Sequence, residues 1–392
     1  MKGIRRCNKH RRADYHNVKR NYVTLDADLR RELKYERQAS SSRVTYVETE
    51  PENNKIYMNK LILSVRSQAF IRKRHNYRNS RTEGAMMSRS LDKEQVALLI
   101  ADPQLQGWQD EHVFPFGNIA RWDIDRYLWK TFSYALEYSK PDIIIFLGDI
   151  FDEGSKASDS EYAATLARLR GIFPQTSYIK TIYIPGDNDI GGEGRDFVHA
   201  WKSDRYEEHF GNISDVIRFG FLNVPSYTMS DKTLKAATEV QERLSAPLRV
   251  MLNHHLVTVE AKHYIYPVLK RLRPNLILSA HSHHASLISC RDCLHDNDWS
   301  WERQFQNLQF LDSYVHLNLN QSNSMHEIVV PTCSYRMGVS DMGFGLAIIG
   351  SEGVVDYTTL WLPRRYTMLI GYVIYMGISG AVLSVLFFSQ RR

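Results

Sequence analysis

Cysteine is scarce, four in 392 residues, which excludes a disulfide framework as the source of stability. Cys290 and Cys293 have C-x-x-C spacing, but no second pair follows to complete a zinc site, and Cys7 and Cys333 stand alone. In an oxidising compartment a local Cys290–Cys293 bridge is open to the chain; elsewhere these are ordinary thiols. Residues 1–90 also lack an apolar run long enough for a signal peptide or an anchor, since Leu61-Ile-Leu-Ser-Val65 is too short. Acidic residues are few there as well: 22 Lys and Arg stand against 9 Asp and Glu, whereas the remainder holds 28 against 35. This asymmetry marks a boundary near residue 90. The basic arm suits anionic lipid or nucleic acid in principle, but it reads as a solvated, mostly disordered leader, with a short charged helix over Asp26–Glu36.

Beyond the arm the composition is that of a globular protein, 43% hydrophobic and 24% charged. Ile143 to Leu147 are five apolar residues in a row, bounded by Pro141 and Gly148, the pattern of a strand buried on both faces. It runs straight into Gly148-Asp149. Similar apolar strands are expected at Val96–Ala101, Tyr178–Ile184, Leu248–Leu252 and Leu276–Leu278, with helices over Asp123–Tyr138 and Ser160–Leu169 between the early ones. Further strands are expected at Glu327–Val330 and Gly345–Ile349. Residues 285–325 are polar, carry Trp299, Trp301, His295 and His316, and read as an insertion or hairpin excursion. Tyr366 to Phe388 is an uncharged run of 23 residues flanked by Arg364-Arg365 and Arg391-Arg392. It matches the length needed to span ~30 Å of hydrocarbon, so a transmembrane helix is expected there, with a short tail at 389–392. The balanced flanking charges do not orient it.

A single Gly-Asp after a strand is more often a turn than a ligand. Here five strands end in metal-type donors: Asp102, Asp149, Asp187, His254 and the pair His281/His283. Carboxylates and imidazoles together suit Mn²⁺, Fe or Zn²⁺. In an extended His-x-His the two rings point the same way, whereas from a loop they can serve two neighbouring ions.

The order Asp-x-Gln, Gly-Asp, Gly-Asp-Asn-Asp, His, Ala-His-x-His resembles that of calcineurin-like metallophosphoesterases. Within them, the chain looks like the membrane-bound branch that trims ethanolamine phosphate from glycosylphosphatidylinositol (GPI) anchors. The supporting stretches are Ala101-Asp-Pro-Gln-Leu105, Arg121-Trp122, Leu147-Gly-Asp-Ile-Phe-Asp-Glu153, Asp189-Ile-Gly191, Ser279-Ala-His-Ser-His283, Val330-Pro-Thr-Cys-Ser-Tyr-Arg336 and Leu362-Pro-Arg364. The likeness covers roughly residues 96–388. It implies an α/β sandwich of two sheets flanked by helices, a catalytic domain over 91–365, and a transmembrane helix over 366–388. It also implies two divalent ions, Mn²⁺ being the expected metal. Asp149 would bridge them, Asp102 and His283 would complete one site, and Asp187, His254 and His281 the other. The expected reaction is phosphodiester hydrolysis, with GPI-anchored proteins as substrate, membrane lipid as the partner of the terminal helix, and no nucleic acid.

Two positions depart from the family pattern. Gln104 stands where many relatives have a metal-binding histidine. Asn188 replaces the histidine credited with stabilising the transition state or protonating the leaving group, and an amide donates a hydrogen bond but cannot act as an acid. His255 is the neighbouring candidate for that duty. The family has two membrane anchors and a luminal catalytic domain in the endoplasmic reticulum, the ER–Golgi intermediate or the Golgi. The expectation is therefore a luminal enzyme whose amino-terminal anchor is absent from this version of the sequence; the sequons Asn212-Ile-Ser214 and Asn320-Gln-Ser322 agree with a luminal face. The alternative is a catalytically impaired membrane protein of the same fold that acts as a cargo or complex partner.

Overall fold

The computed structural model describes residues 94–389, except 111–114, 176–177, 220–221, 228–247, 259–268, 270–271, 291–307, 311–313 and 321–323. The basic arm, the Asp26–Glu36 helix, Cys7, Cys293, His295, Trp299, Trp301 and Ser322 lie outside the described residues.

In chain order the elements are β1 (Glu94–Ile100), α1 (Phe116–Ser139), β2 (Ile143–Leu147), α2 (Asp159–Ile172), β3 (Lys180–Ile184), α3 (Asp187–Ile190), α4 (Ala200–Phe210), β4 (Asp215–Phe219) and β5 (Leu222–Tyr227). Then come β6 (Val250–Asn253), β7 (Leu276–Ser279), β8 (Ser286–Cys290), β9 (Leu308–Phe310), β10 (Val315–Asn318), β11 (Met325–Val329), β12 (Gly343–Gly350), β13 (Val354–Trp361) and α5 (Arg365–Ser389). They form a six-stranded sheet of order β10-β13-β12-β1-β2-β3 and a seven-stranded sheet of order β4-β5-β6-β7-β11-β8-β9. β1, β2 and β3 run parallel, as do β5, β6, β7 and β11, and antiparallel strands flank both sets.

Strand side chains alternate between faces, and the core divides on that alternation. Ala97, Leu99, Ile143, Ile145, Leu147, Ile182 and Ile184 face the second sheet, packing with Val250, Leu252, Leu276, Leu278 and Ile328. Leu98, Ile100, Ile144 and Phe146 face the other way, into α1 and α2 through Leu128, Phe132, Leu166 and Leu169. The fold is thus a sandwich of two sheets with helices outside, as the five-residue apolar run of β2 requires. Ser158 starts α2 with a reciprocal cap: Glu161 N–H donates to Ser158 Oγ at 3.4 Å and Ser158 N–H to Glu161 Oε2 at 2.9 Å.

α1 begins seven residues earlier than expected, right after Pro115. Its first turns expose Phe116, Ile119 and Trp122, so apolar periodicity alone does not reveal them. Within 285–325, the described strands β8 and β9 extend the second sheet and β10 extends the first. β13, α4 and the β4–β5 hairpin were not foreseen; α4 buries only Lys202 and Tyr206 and so shows no apolar stripe. None of the residues of α5 is buried, and the helix is apolar and long enough to cross a membrane.

The helix layer is testable at Phe146, which stacks on Tyr183 at 4.6 Å and meets Phe173 edge-on at 5.2 Å. Phe146→Ala should cost about 3–5 kcal/mol in urea unfolding of the detergent-solubilised chain. The exposed control Trp129→Ala should stay within about 0.5 kcal/mol. Equal small losses would contradict the packing.

Candidate metal centre

Asp102, Asp149 and Asp187 follow β1, β2 and β3, while His254, His281 and His283 follow β6 and β7. Adjacent parallel strands share one carboxyl edge, where ligands collect in α/β sheets. Beyond β11 the chain ties the two sheets together at that edge. Cys333 N–H donates to Ala101 O at 3.0 Å, and Thr332 Oγ1 donates to Asp102 O at 2.8 Å.

The local backbone is unusual. Asp102 (φ 46°), Gln104 (φ 43°), Asp149 (φ 49°), His281 (φ 64°) and His283 (φ 64°) all lie in the left-handed region. Each such residue costs about 1–2 kcal/mol. Left-handed residues at the strand ends turn the chain abruptly, so the side chains there do not continue the strands' alternation. His281 and His283 are therefore not an extended pair pointing one way; each is presented from a left-handed turn. Gly148 (φ 92°) and Gly186 make room. A Cβ on Gly148 would lie 2.5 Å from His254 Nδ1, and one on Gly186 would lie 2.1 Å from Asp149 Oδ1.

Donor atoms of Asp149, Asp187, His254 and His281 all fall within 4.8 Å of one another. His254 Nε2 is 3.1 Å from Asp187 Oδ1 and 3.4 Å from Asp149 Oδ1, and His281 Nδ1 is 3.2 Å from Asp187 Oδ1. Asp102 and His283 form a second pair, Oδ1 to Nε2 at 3.7 Å. Gln104 links the two groups: its Nε2 donates to Asp149 Oδ2 at 3.1 Å and lies 3.4 Å from His283 Nε2. His254 Nδ1 sits 2.8 Å from Leu147 O. A carbonyl can only accept, so Nδ1 carries a proton and Nε2 is the nitrogen that faces the cluster, the orientation a metal-binding histidine needs once Nε2 gives up its own proton.

The residues fit a divalent cation on three counts. Asp102 and Asp187 are buried, and among the described residues their carboxylate oxygens have no hydrogen-bond donors other than the clustered histidines. Natural proteins rarely leave buried carboxylate oxygens so sparsely partnered without an ion. The donor set is carboxylate and imidazole, suited to Mn²⁺, Fe or Zn²⁺. Finally, three buried carboxylates crowd against three imidazoles, and the crowding shifts how each of them holds its proton. Burial, with Asp187 and Asp102 nearby, pushes Asp149 well above the usual carboxylate range. Burial also lifts Asp102 to about 6. His254 is raised despite its burial, because Asp149, Asp187 and Asp102 hold its proton. Burial would also raise Asp187, but His254 and His281 overcome it and hold that carboxyl far below the usual range. Burial next to His281 and His254 drops His283 to about 4, so its ring is neutral and free to donate its lone pair.

Three buried carboxylates outside the cluster fasten the loops that carry it. Asp189 accepts from the N–H groups of Ile150 (3.1 Å), Phe151 (3.0 Å) and Gly186 (2.9 Å), clamping the turns after β2 and β3 to each other. Glu327 accepts from Val257 N–H at 2.8 Å and Thr258 N–H at 2.9 Å, just beyond His254. Glu153 accepts from the N–H groups of Trp108, Gln109 and Asp110 on the loop that leaves Gln104. Sequence reasoning gave these three no role. The available signal was weak: a glutamate inside the apolar run of β11.

Asn188 lies in α3 and points at the central carboxylate. Its N–H donates to Asp149 Oδ1 and its Nδ2 to Asp149 Oδ2, each at 3.0 Å. His255 stands at the margin, partly exposed, with Nε2 3.8 Å from Asp187 Oδ1 and its ring 4.3 Å from that of His281.

Residues 97–285 match the family model described as calcineurin-like phosphoesterase. Among curated proteins, the chain is similar to Cell division control protein 1 of Saccharomyces cerevisiae, 27% identical over 271 residues, covering 62% of this chain and 52% of that protein. It is similar to the Metallophosphoesterase 1 homolog of Drosophila melanogaster, 26% identical over 157 residues, covering 38% of this chain and 39% of that one. Metallophosphoesterase 1 of Pongo abelii is 24% identical over 310 residues, covering 72% of this chain and 75% of that one. The match thus spans about half of the yeast relative's length and less of the fly protein's.

Metal uptake must displace protons from His254 and Asp149, whose pKa values are both raised. The ion competes with those protons, so affinity should rise with pH and weaken as pH falls. Calorimetry of Mn²⁺ binding at pH 6–8 should show heats that scale with buffer ionisation enthalpy; buffer-independent heats would contradict this. Gly186→Ala, which collides with Asp149, should weaken Mn²⁺ binding by about 10–100-fold, as outer-shell changes do.

Proposed function

From the premise that this chain carries a calcineurin-like phosphoesterase domain, we propose that it is a dimetal phosphodiesterase that removes ethanolamine phosphate from the GPI glycan. The observation that carries the reading is the convergence of Asp102, Asp149, Asp187, His254, His281 and His283, with the carboxylate oxygens of Asp102 and Asp187 served by no donor but the clustered histidines. Asp149 is assigned the shared position, because its neighbours on either side are the Asp187 group and, through Gln104, the Asp102–His283 pair. When bound, two divalent ions supply Lewis-acid polarisation of the phosphoryl oxygens and a water of lowered pKa. Mn²⁺ is the metal proposed.

The chain's own residues orient and balance that centre. Asn188 holds both oxygens of Asp149 and has an amide to offer a phosphoryl oxygen, but it has no proton to give to the leaving alcohol. That duty is assigned to His255, the partly exposed imidazole at the margin. The GPI substrate is supported by the motif resemblance over 96–388 and by α5, which would keep the domain at the membrane that holds such substrates. A luminal location in the ER or Golgi is proposed on the same grounds, and Asn212 is exposed as a glycosylation acceptor must be. Asn188 also favours a second reading, a catalytically impaired membrane protein that binds GPI-anchored cargo or a complex partner.

An assay with Mn²⁺ and bis-p-nitrophenyl phosphate separates the two readings. Wild type should turn over and Asp149→Ala should be inactive, whereas His255→Ala should fall by about 10²-fold on an alkyl phosphodiester, whose alcohol needs a proton to leave, and far less on the p-nitrophenyl ester. Equal inertness of wild type and Asp149→Ala, with metal occupancy confirmed, would support the non-enzymatic reading. For the substrate itself, cells lacking GPI trimming should regain normal anchors with wild type and not with Asp149→Ala. A glycosidase-sensitive mass shift of the chain is expected in the same cells.

A further inference from the structure

α1 carries an apolar stripe that no described part of the molecule covers. Phe116, Ile119, Trp122 and Trp129 are 70%, 58%, 62% and 48% exposed. Interleaved with them are the exposed cations Arg126 and Lys130, Arg126 lying 5.6 Å over the Trp122 ring. At about 100° per residue, all six project within an arc of about 140° on one side of the helix. Buried Ile124, Leu128, Phe132 and Ala135 occupy the other side. A helix polar on its outer face would leave this stripe charged. Here it combines aromatic rings with cations, Glu137 near the helix's far end being the one exposed acid in the same arc, and that composition suits the boundary between lipid headgroups and acyl chains.

The stripe adjoins the start of α5. Asp123, next to Trp122, takes both arms of Arg365: Nε donates to Oδ2 at 3.0 Å and Nη2 to Oδ1. Tyr335 OH donates to the same Oδ2 at 2.8 Å, and its ring meets that of Tyr366 edge-on at 5.2 Å. Tyr127 OH, one turn along, donates to Pro363 O at 2.9 Å. Burial would raise Asp123, but Arg365 and Tyr335 outweigh it and keep the carboxyl below its ordinary value. The first residue of the candidate membrane helix is thereby held at the edge of the α1 stripe, which sets the stripe beside the point where α5 leaves the domain. The same helix reaches the centre's surroundings, since Arg121 donates to Gly107 O at 2.8 Å on the loop that leaves Gln104.

We infer that α1 is an interfacial helix: Phe116, Ile119, Trp122 and Trp129 lie in the headgroup region of the membrane that α5 spans, with Arg126 and Lys130 on anionic headgroups. The inference rests on the reading of α5 as a membrane span. It fixes the catalytic domain's attitude to the bilayer, with α1 down, independently of which phosphodiester is cleaved.

The test uses the full chain in vesicles of phosphatidylcholine and phosphatidylserine, with an environment-sensitive fluorophore on one introduced cysteine at a time. Ile119→Cys is the test position, Val373→Cys in α5 reports insertion, and the exposed Trp201→Cys on α4 is the aqueous control. The label at 119 should shift to the blue, lose quenching by iodide and gain quenching by a nitroxide lipid, while that at 201 stays iodide-accessible. A label at 119 that iodide still reaches, with 373 in lipid, overturns the inference and spares the reading of α5. A label at 119 shielded from both quenchers means that protein covers the stripe, which also overturns it. Both 119 and 373 open to iodide overturns the inference together with its premise.

Discussion

Crowded like charge is the constraint on which the rest depends. Asp102, Asp149 and Asp187 are buried within reach of one another's fields, and His254 and His281 help to offset them. Such a cluster pushes its own loops apart unless the backbone is held by other means. The restraints sit one layer out: Asp189 grips three N–H groups from two turns, Glu327 fixes the segment beyond His254, and Thr332 and Cys333 join the two sheets at Asp102. Left-handed backbone at five positions adds cost to the same small region. A divalent cation held there would supply positive charge, and it would link folding of this centre to metal loading.

Much of this was legible in the sequence because parallel strands buried on both faces leave a plain signature. Ile143–Leu147 has no polar residue, and the element that follows has to turn, so Gly148-Asp149 could be placed at a sheet edge without coordinates. The six proposed ligands were found by the same route, each at the end of an apolar run. What escaped notice did so for physical reasons. Asp189, Glu327 and Glu153 act on backbone N–H groups, which every residue possesses, so no side-chain pattern names their partners. The first turns of α1 were missed because they are apolar on the outside, which breaks the rule that helical periodicity points inward. The left-handed turns at His281 and His283 were invisible as well, since His-x-His reads equally as strand or loop.

Gln104 and Asn188, the two departures from the family pattern, now share a location. Both side-chain amides donate to Asp149 Oδ2, at 3.1 and 3.0 Å. Neutral donors here lower the local negative charge without adding a titrating group. They hold the carboxylate's geometry, and neither amide can act as an acid or a base.

The left-handed backbone also bears on how such a centre changes over evolutionary time. At Asp102 and Asp149, β-branched or bulky residues would add strain to a turn that asparagine or glycine adopts readily. Mutational drift that abolishes metal binding while sparing the fold is therefore channelled toward Asn and Gly at these two positions. A lineage that has lost the reaction but kept the sandwich would carry that narrow substitution spectrum as its fossil record.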